Sequence, residues 1–233
     1  EIEKFKKLKK GQASTKLSEE SVSPPVPFDL TTLQREAYRF NHLSPSETLK
    51  LAQKLYLDGL ISYPRTSSNQ IPPTINYKKI LTALIKYNEL AKILLEGNLK
   101  PNNGKKKDPA HPAIYPSGVP SKLSGNYLKI YDLIVKRFLA TFSQPAKRET
   151  VTIDIDVKKE IFIAQGTRTI EQGWHKFYQP YIKLKEEEFP NIKQNDKLKI
   201  KKINLLEKET QPPKRYTPAS IIKELEKRNL GTK

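Results

Sequence analysis

The spacing of apolar residues changes near Arg148, and that change constrains the fold of this chain more than any other feature. Before it, Leu49, Ala52, Leu55 and Tyr56, then Ile80, Leu81, Leu84, Ile85, Leu90, Ile93 and Leu94, recur mostly at helical three- and four-residue steps. After it, Val151, Ile153, Ile155 and Val157 alternate with Thr150, Thr152, Asp154 and Asp156, the pattern of a strand with one buried face. Ile161–Ala164, Tyr178–Leu184 and Lys197–Ile203 are further strand candidates. Separate helical and strand blocks predict the α+β class, with a small antiparallel sheet or open barrel in the second half.

Punctuation marks the helices. Pro24-Pro25-Val26-Pro27 reads as a stiff extended connector after a basic, weakly patterned stretch, and places a domain boundary before Phe28. Thr31 or Thr32 caps a helix running to about Phe40. Ser44-Pro45-Ser46-Glu47 joins a capping hydroxyl, proline at the first helical position and Glu at the capping-box position, opening a helix to about Leu57 that Gly59 stops. Leu60-Ile61-Ser62 then reads as a brief strand, and two short helices followed by a strand suggest a helix-turn-helix or winged-helix arrangement. A second helical region spans Asn76–Leu95. Pro101, Pro109, Pro112, Pro116 and Pro120 make 97–123 a long loop, Ser124 caps a helix from about Asn126 to Phe142, and Thr217-Pro218-Ala219-Ser220 starts one to about Arg228, closed by Gly231.

The charge balance, 43 Lys and Arg against 25 Asp and Glu for a formal +18, favours a polyanionic partner. A membrane surface, or Lys/Glu enrichment of the kind seen in proteins from hot environments, accounts for the same bias. There is no cysteine, which excludes disulfides, thiolate metal sites and cysteine nucleophiles; His42, His111 and His175 are too scattered for a metal site. No apolar run of membrane-spanning length is present and the first residues are too charged for a secretory signal, so an intracellular, cytoplasmic protein is expected. The lack of methionine, even at residue 1, suggests a piece of a longer protein.

Chemistry concentrates in Ile61-Ser62-Tyr63-Pro64-Arg65-Thr66-Ser67-Ser68. A tyrosine hydroxyl with a pKa near ~10 is a poor nucleophile unless positive charge or a base favours its phenolate. Arg65 supplies such charge, in a planar fork that fits two phosphate oxygens. An ordinary half-buried aromatic beside a surface cation is the alternative.

These residues resemble the active-tyrosine motif of type IA DNA topoisomerases in their archaeal form. Three other segments agree, in the family's order: Pro27-Phe28-Asp29-Leu30-Thr31-Thr32-Leu33-Gln34-Arg35-Glu36-Ala37, Ala110-His111-Pro112-Ala113-Ile114-Tyr115-Pro116-Ser117-Gly118, and Tyr216-Thr217-Pro218-Ala219-Ser220 through Gly231-Thr232. Bacterial members typically carry Asp where this chain has Ser67. The resemblance implies that Tyr63 attacks a backbone phosphorus of single-stranded DNA, forming a 5′-phosphotyrosyl bond and releasing a 3′-hydroxyl, with no need of ATP for rejoining. Arg65 would hold the scissile phosphate and His111 would donate to it. Thr66 would hydrogen-bond that phosphate or only its own loop; Ser67 lies beside it. Lys105, Lys106 and Lys107 would grip the DNA backbone or form a solvated loop.

The resemblance also implies that Mg²⁺ is held by a separate acidic domain preceding this segment, and that no metal site belongs to the segment itself. Asp154-Ile155-Asp156 matches the spacing of a carboxylate pair, yet both carboxylates fall on the polar face of a strand. The implied organisation is residues 28–145 as a winged-helix-like tyrosine domain inserted into a β gate domain made of 1–27 and 146–213, with 214–233 opening a following strand-binding domain. A fragment of this kind is expected to bind single-stranded DNA and to need the acidic and strand-binding parts of the same polypeptide for activity. A noncatalytic helix-turn-helix DNA-binding module is the first rival. A tyrosine recombinase or type IB enzyme is the second, but it needs dispersed Arg and His residues around a tyrosine near the chain's end.

Overall fold

The computed structural model describes residues 9–230; residues 1–8 and 231–233, among them Gly231, expected to close the last helix, and Thr232 of the last motif, lie outside the described residues. The chain divides into two compact units. One takes the chain up to Val22 together with Ala146–Gln172 and Leu184–Lys214; the other takes Ser23–Pro145, Gly173–Lys183 and the chain from Arg215 on.

The first unit is an antiparallel sheet of β1 (Lys10–Val22), β2 (Ala146–Val157), β3 (Glu160–Glu171) and β4 (Lys197–Lys199), ordered β3-β2-β1-β4. The alternation seen from Thr150 to Val157 is realised as β2. Ile153 and Val157 are buried, and Ala13, which pairs with Ile155, is buried on the same face. The basic segment without a clear pattern becomes β1, as the family's fold implied. Lys158 (φ 55°) and Lys159 (φ 69°) form the two-residue turn between β2 and β3, left-handed at both positions as a type I′ hairpin requires. The carboxylate of Asp156 accepts from Lys159 N at 2.7 Å and so supports a turn made without glycine. Gly166 is needed for space: a Cβ there would stand 2.7 Å from Glu187 O and from the Phe189 ring. The expected strand over Lys197–Ile203 shortens to β4.

The second unit is helical: α1 (Leu30–Asn41), α2 (Pro45–Leu57), α3 (Tyr77–Leu84), α4 (Ala91–Leu95), α5 (Gly125–Thr141), α6 (His175–Tyr178) and α7 (Pro218–Lys227). Ser44 caps α2 as its sequence predicts, its Oγ accepting from Glu47 N at 3.2 Å, with Pro45 in the first turn. The cap of α1 is Asp29 and not a threonine. Its Oδ1 accepts from Thr32 N at 2.8 Å, while Thr32 Oγ1 accepts from Asp29 N at 3.1 Å, closing a capping box ahead of both expected threonine caps. Ser124 precedes α5 without a side-chain cap bond. The helical region expected over Asn76–Leu95 is made of two helices, α3 and α4.

Around α5, whose Ile130, Tyr131, Leu133, Ile134, Val135 and Phe138 are buried, gather Leu33 and Ala37 of α1, Ala52 and Leu55 of α2, and Leu81 and Leu84 of α3. Burying each large apolar side chain is worth about 1.5–3 kcal/mol relative to exposure, so this core fixes the loops that leave it. The strand expected over Tyr178–Leu184 does not form. Phe177, Tyr178 and Tyr181 are buried in the helical core, with Tyr178 Oη accepting from Arg137 at 3.2 Å and Tyr181 Oη donating to Asp132 at 2.8 Å. Among the described residues no helix is long and apolar enough to cross a membrane.

Candidate active site

Two irregular segments of the helical unit meet beside α1. Residues 60–70 follow the end of α2, and residues 104–118 cross them. Ile61 bridges Pro116, and Ser62 N donates to Tyr115 O at 2.9 Å, so the expected strand at 60–62 is a single bridge. The Ser62 hydroxyl donates to Ala113 O at 3.2 Å and accepts from Tyr115 N at 3.0 Å. These bonds hold the tyrosine segment against the histidine segment where neither has regular structure.

Tyr63 is half-buried between two rings. His111 lies at a centroid distance of 4.4 Å with planes tilted by 43°, and Tyr56 stands edge-on at 5.4 Å. Arg65 is exposed and has no ion pair or hydrogen bond among the described residues. Thr66 is buried: its Oγ1 donates to His111 O at 3.2 Å and accepts from Ser68 N at 3.0 Å, while its carbonyl accepts from Leu30 N, the first residue of α1, at 3.0 Å. In this arrangement Thr66 ties its own loop to the histidine segment. Ser67, where the chain departs from the bacterial pattern, bonds Asp108 Oδ2 through its amide at 3.3 Å and its hydroxyl at 3.2 Å.

The lysine triplet divides. Lys105 and Lys107 are exposed, whereas the Lys106 ammonium lies 3.0 Å from Asp29 Oδ2 and 2.5 Å from Glu226 Oε1. Beside Arg65, Thr66, Ser67 and Asp108 opens a cleft of ≈ 440 Å³ whose opposite wall is Ile222 and Leu225 of α7. A larger hollow of ≈ 560 Å³ near Asp58 and Tyr127 contains none of these groups.

Sequence reasoning missed Asp108, Tyr56 and Ser62. Asp108 accepts four hydrogen bonds, from Ser67 N and Oγ, Ala110 N at 3.0 Å and His111 N at 3.1 Å. The Ala110 amide foremost, then the Ser67 and His111 groups, hold its carboxyl below the usual carboxylate range. The only local sign was an Asp-Pro step three residues before a histidine.

The two aspartates spaced as a carboxylate pair are engaged elsewhere. Asp154 pairs with Lys16 at 3.6 Å, Asp156 caps its own turn, and no group of three or more His, Asp or Glu side chains among the described residues could hold a metal ion.

The family follows from the whole chain. Residues 2–233 match the family model described as DNA topoisomerase. The chain belongs to the DNA topoisomerase family. It is 51% identical over 223 residues to DNA topoisomerase 1 of Methanocaldococcus jannaschii, covering 94% of this chain and 29% of that protein. Against DNA topoisomerase 1 of Pyrococcus horikoshii the identity is 44% over 228 residues, 95% of this chain and 33% of that protein. Human DNA topoisomerase 3-alpha is 34% identical over 216 residues, 89% of this chain and 21% of that protein. The structure of full-length topoisomerase I from Thermotoga maritima superposes with a TM-score of 0.77 at 27% identity, covering 99% of this chain and 39% of that one. The chain thus spans about a third of the length of these archaeal topoisomerase relatives.

Proposed function

We propose that this chain carries the cleaving tyrosine of a type IA topoisomerase that changes DNA topology without ATP. The observation that carries the reading is the packing of Tyr63 against His111, two residues before an exposed Arg65 that is unpaired among the described residues. Tyr63 Oη attacks a backbone phosphorus of single-stranded DNA; the new O–P bond replaces the bond to the 3′ oxygen, which leaves as a hydroxyl after taking a proton. Arg65 donates to the non-bridging oxygens, where charge builds as the phosphorus becomes five-coordinate. His111, packed against the tyrosine ring with centroids 4.4 Å apart, offers a further donor. Because the phosphotyrosyl ester retains the energy of the broken bond, the reverse attack by the 3′-hydroxyl reseals the strand.

Mg²⁺ would be held by a separate acidic domain of the same polypeptide, as the family resemblance implies, and no step assigned here to Tyr63, Arg65 or His111 runs through the ion. We assign residues 28–145 to the winged-helix-like tyrosine domain, 1–27 and 146–213 to the gate domain apart from 23–27 and Gly173–Lys183, which fall in the helical unit, and 214–233 to the opening of a strand-binding region. The test is a graft of this chain in place of the matching segment of the M. jannaschii relative, incubated with a 3′-labelled single-stranded oligonucleotide. The label becomes attached to protein in the graft and not in its Tyr63→Phe form, which keeps the ring and loses only the attacking oxygen. An adduct that persists in Tyr63→Phe refutes the assignment.

A further inference from the structure

We propose that Asp108 is a positioning residue for strand cleavage: its carboxylate clamps the segment bearing Tyr63 and Arg65 to the segment bearing His111, so that both present their groups to one phosphate. The inference rests on the function proposed above. An aspartate that caps the amides two and three residues ahead of it is a common local turn device, and Oδ1 does this with Ala110 and His111. Oδ2 does something else. It is engaged by the amide and hydroxyl of Ser67, forty-one positions away in the chain.

The position of this clamp makes it matter. Residues 97–123 contain no helix or strand, so their path is set by isolated backbone bonds, such as Ala113 N to Gln70 O at 2.9 Å, and by side-chain bonds between those points. On the far side of His111 the Ser62 hydroxyl already ties Ala113 and Tyr115 to the tyrosine segment. At His111 itself the carbonyl accepts from Thr66. Asp108 supplies the tie on the near side, through the very amide of His111. Without it the nearest tie on that side is at Lys106, whose carbonyl accepts from Asn69 N at 3.2 Å. A displacement of about 1 Å at a reacting centre can cost on the order of a hundredfold in rate.

The charge gives a distinguishing consequence. A carboxylate near a phosphate-binding cleft repels the substrate, so a residue kept there for order alone would be a liability to binding. Replacing it by the isosteric Asn removes the repulsion and also two of the accepted hydrogen bonds, because the amide nitrogen cannot accept from Ser67. Affinity and cleavage therefore move apart.

The experiment uses the graft into the M. jannaschii relative, with Asp108→Asn, Ser67→Ala, His111→Ala and the double variant Asp108→Asn/His111→Ala. Cleavage at saturating 3′-labelled oligonucleotide is expected to fall about tenfold in Asp108→Asn and about threefold in Ser67→Ala. The dissociation constant for the same oligonucleotide stays within about twofold of the parent's or tightens. In the His111→Ala background the Asp108→Asn change costs less than about twofold more, because the two residues act through one placement. A parallel loss of binding, or a full tenfold loss repeated without His111, would make Asp108 a general structural residue and overturn the proposal. Adduct formation in the parent with unchanged cleavage in Asp108→Asn also overturns it while leaving the function of Tyr63 intact. No adduct in the parent graft counts instead against the function itself.

Discussion

The Lys106 ammonium stands 3.0 Å from the Oδ2 of Asp29, a carboxylate whose side chain is only 2% exposed and whose other oxygen caps α1. The same ammonium reaches Glu226 of α7 at 2.5 Å, but that side chain is 40% exposed. The two contacts differ in what is left behind when one partner is removed. Lys106→Ala leaves Asp29 buried with its charge uncompensated, and should lower the chain's stability by about 1–2 kcal/mol, less than for a fully buried pair because the lysine is itself half-exposed. Glu226→Gln should change it by less than about 0.5 kcal/mol. Urea unfolding midpoints measure both; equal effects would mean that the burial of Asp29 does not matter.

Arg65→Lys keeps the charge and loses the two-pronged donor. Because a positioned charged donor at a developing anion is typically worth about 2–4 kcal/mol, adduct formation in the graft should fall by at least about tenfold. Cleavage within about twofold of the parent's would remove Arg65 from the phosphate.

The carboxyl of Asp108 is held below its ordinary range, so its folded value lies below the unfolded one and its contribution to stability is complete above about pH 4. It is lost as pH falls through the folded value, when the proton displaces the bonds from Ser67, Ala110 and His111. Thermal unfolding of the parent and of Asp108→Asn should therefore differ by a constant amount from about pH 5 to 8 and converge in more acid solution. A difference that widened toward low pH would contradict the hydrogen-bonding role.

With a formal charge of +18, the chain should bind single-stranded DNA in a strongly salt-dependent manner, its affinity falling as phosphate contacts release fewer counterions. Fluorescence anisotropy between low and physiological salt measures the slope. A flat response, or a strong preference for duplex, would favour a noncatalytic duplex-binding module.

Much of this architecture was legible where local chemistry and tertiary structure agree. Ser44-Pro45 had no competitor as a helix start, and β2 carries its burial in its alternation. At α1 the threonines hid the true cap, because Thr31 and Thr32 are adequate caps and only the folded backbone singles out Asp29. Tyr178 and Tyr181 read as strand residues because aromatics favour strands; their hydroxyls find Arg137 and Asp132 on α5, a tertiary choice that no local pattern encodes. The tyrosine and histidine motifs could be picked out by their residues. Asp108 could not, since a carboxylate in a proline-rich loop acquires meaning only when Ser67 arrives across the fold.

In the sheet, Val22 and Ala146 are partners on one rung, and residues 23–145 leave and return there. In folding terms most of the helical unit is the loop of a very large hairpin, with Gly173–Lys183 and the chain from Arg215 on added later in the sequence. Closing a loop costs entropy that grows with its length, about 0.6 kcal/mol per doubling for a flexible chain, so β1 and β2 gain little by meeting while that loop is unfolded. Collapse of the helices around α5 shortens the effective loop and brings its ends within reach. Topology then predicts that α1 to α5 collapse before the sheet zips, so that destabilising their core should slow formation of the β1–β2 ladder in pulsed hydrogen exchange.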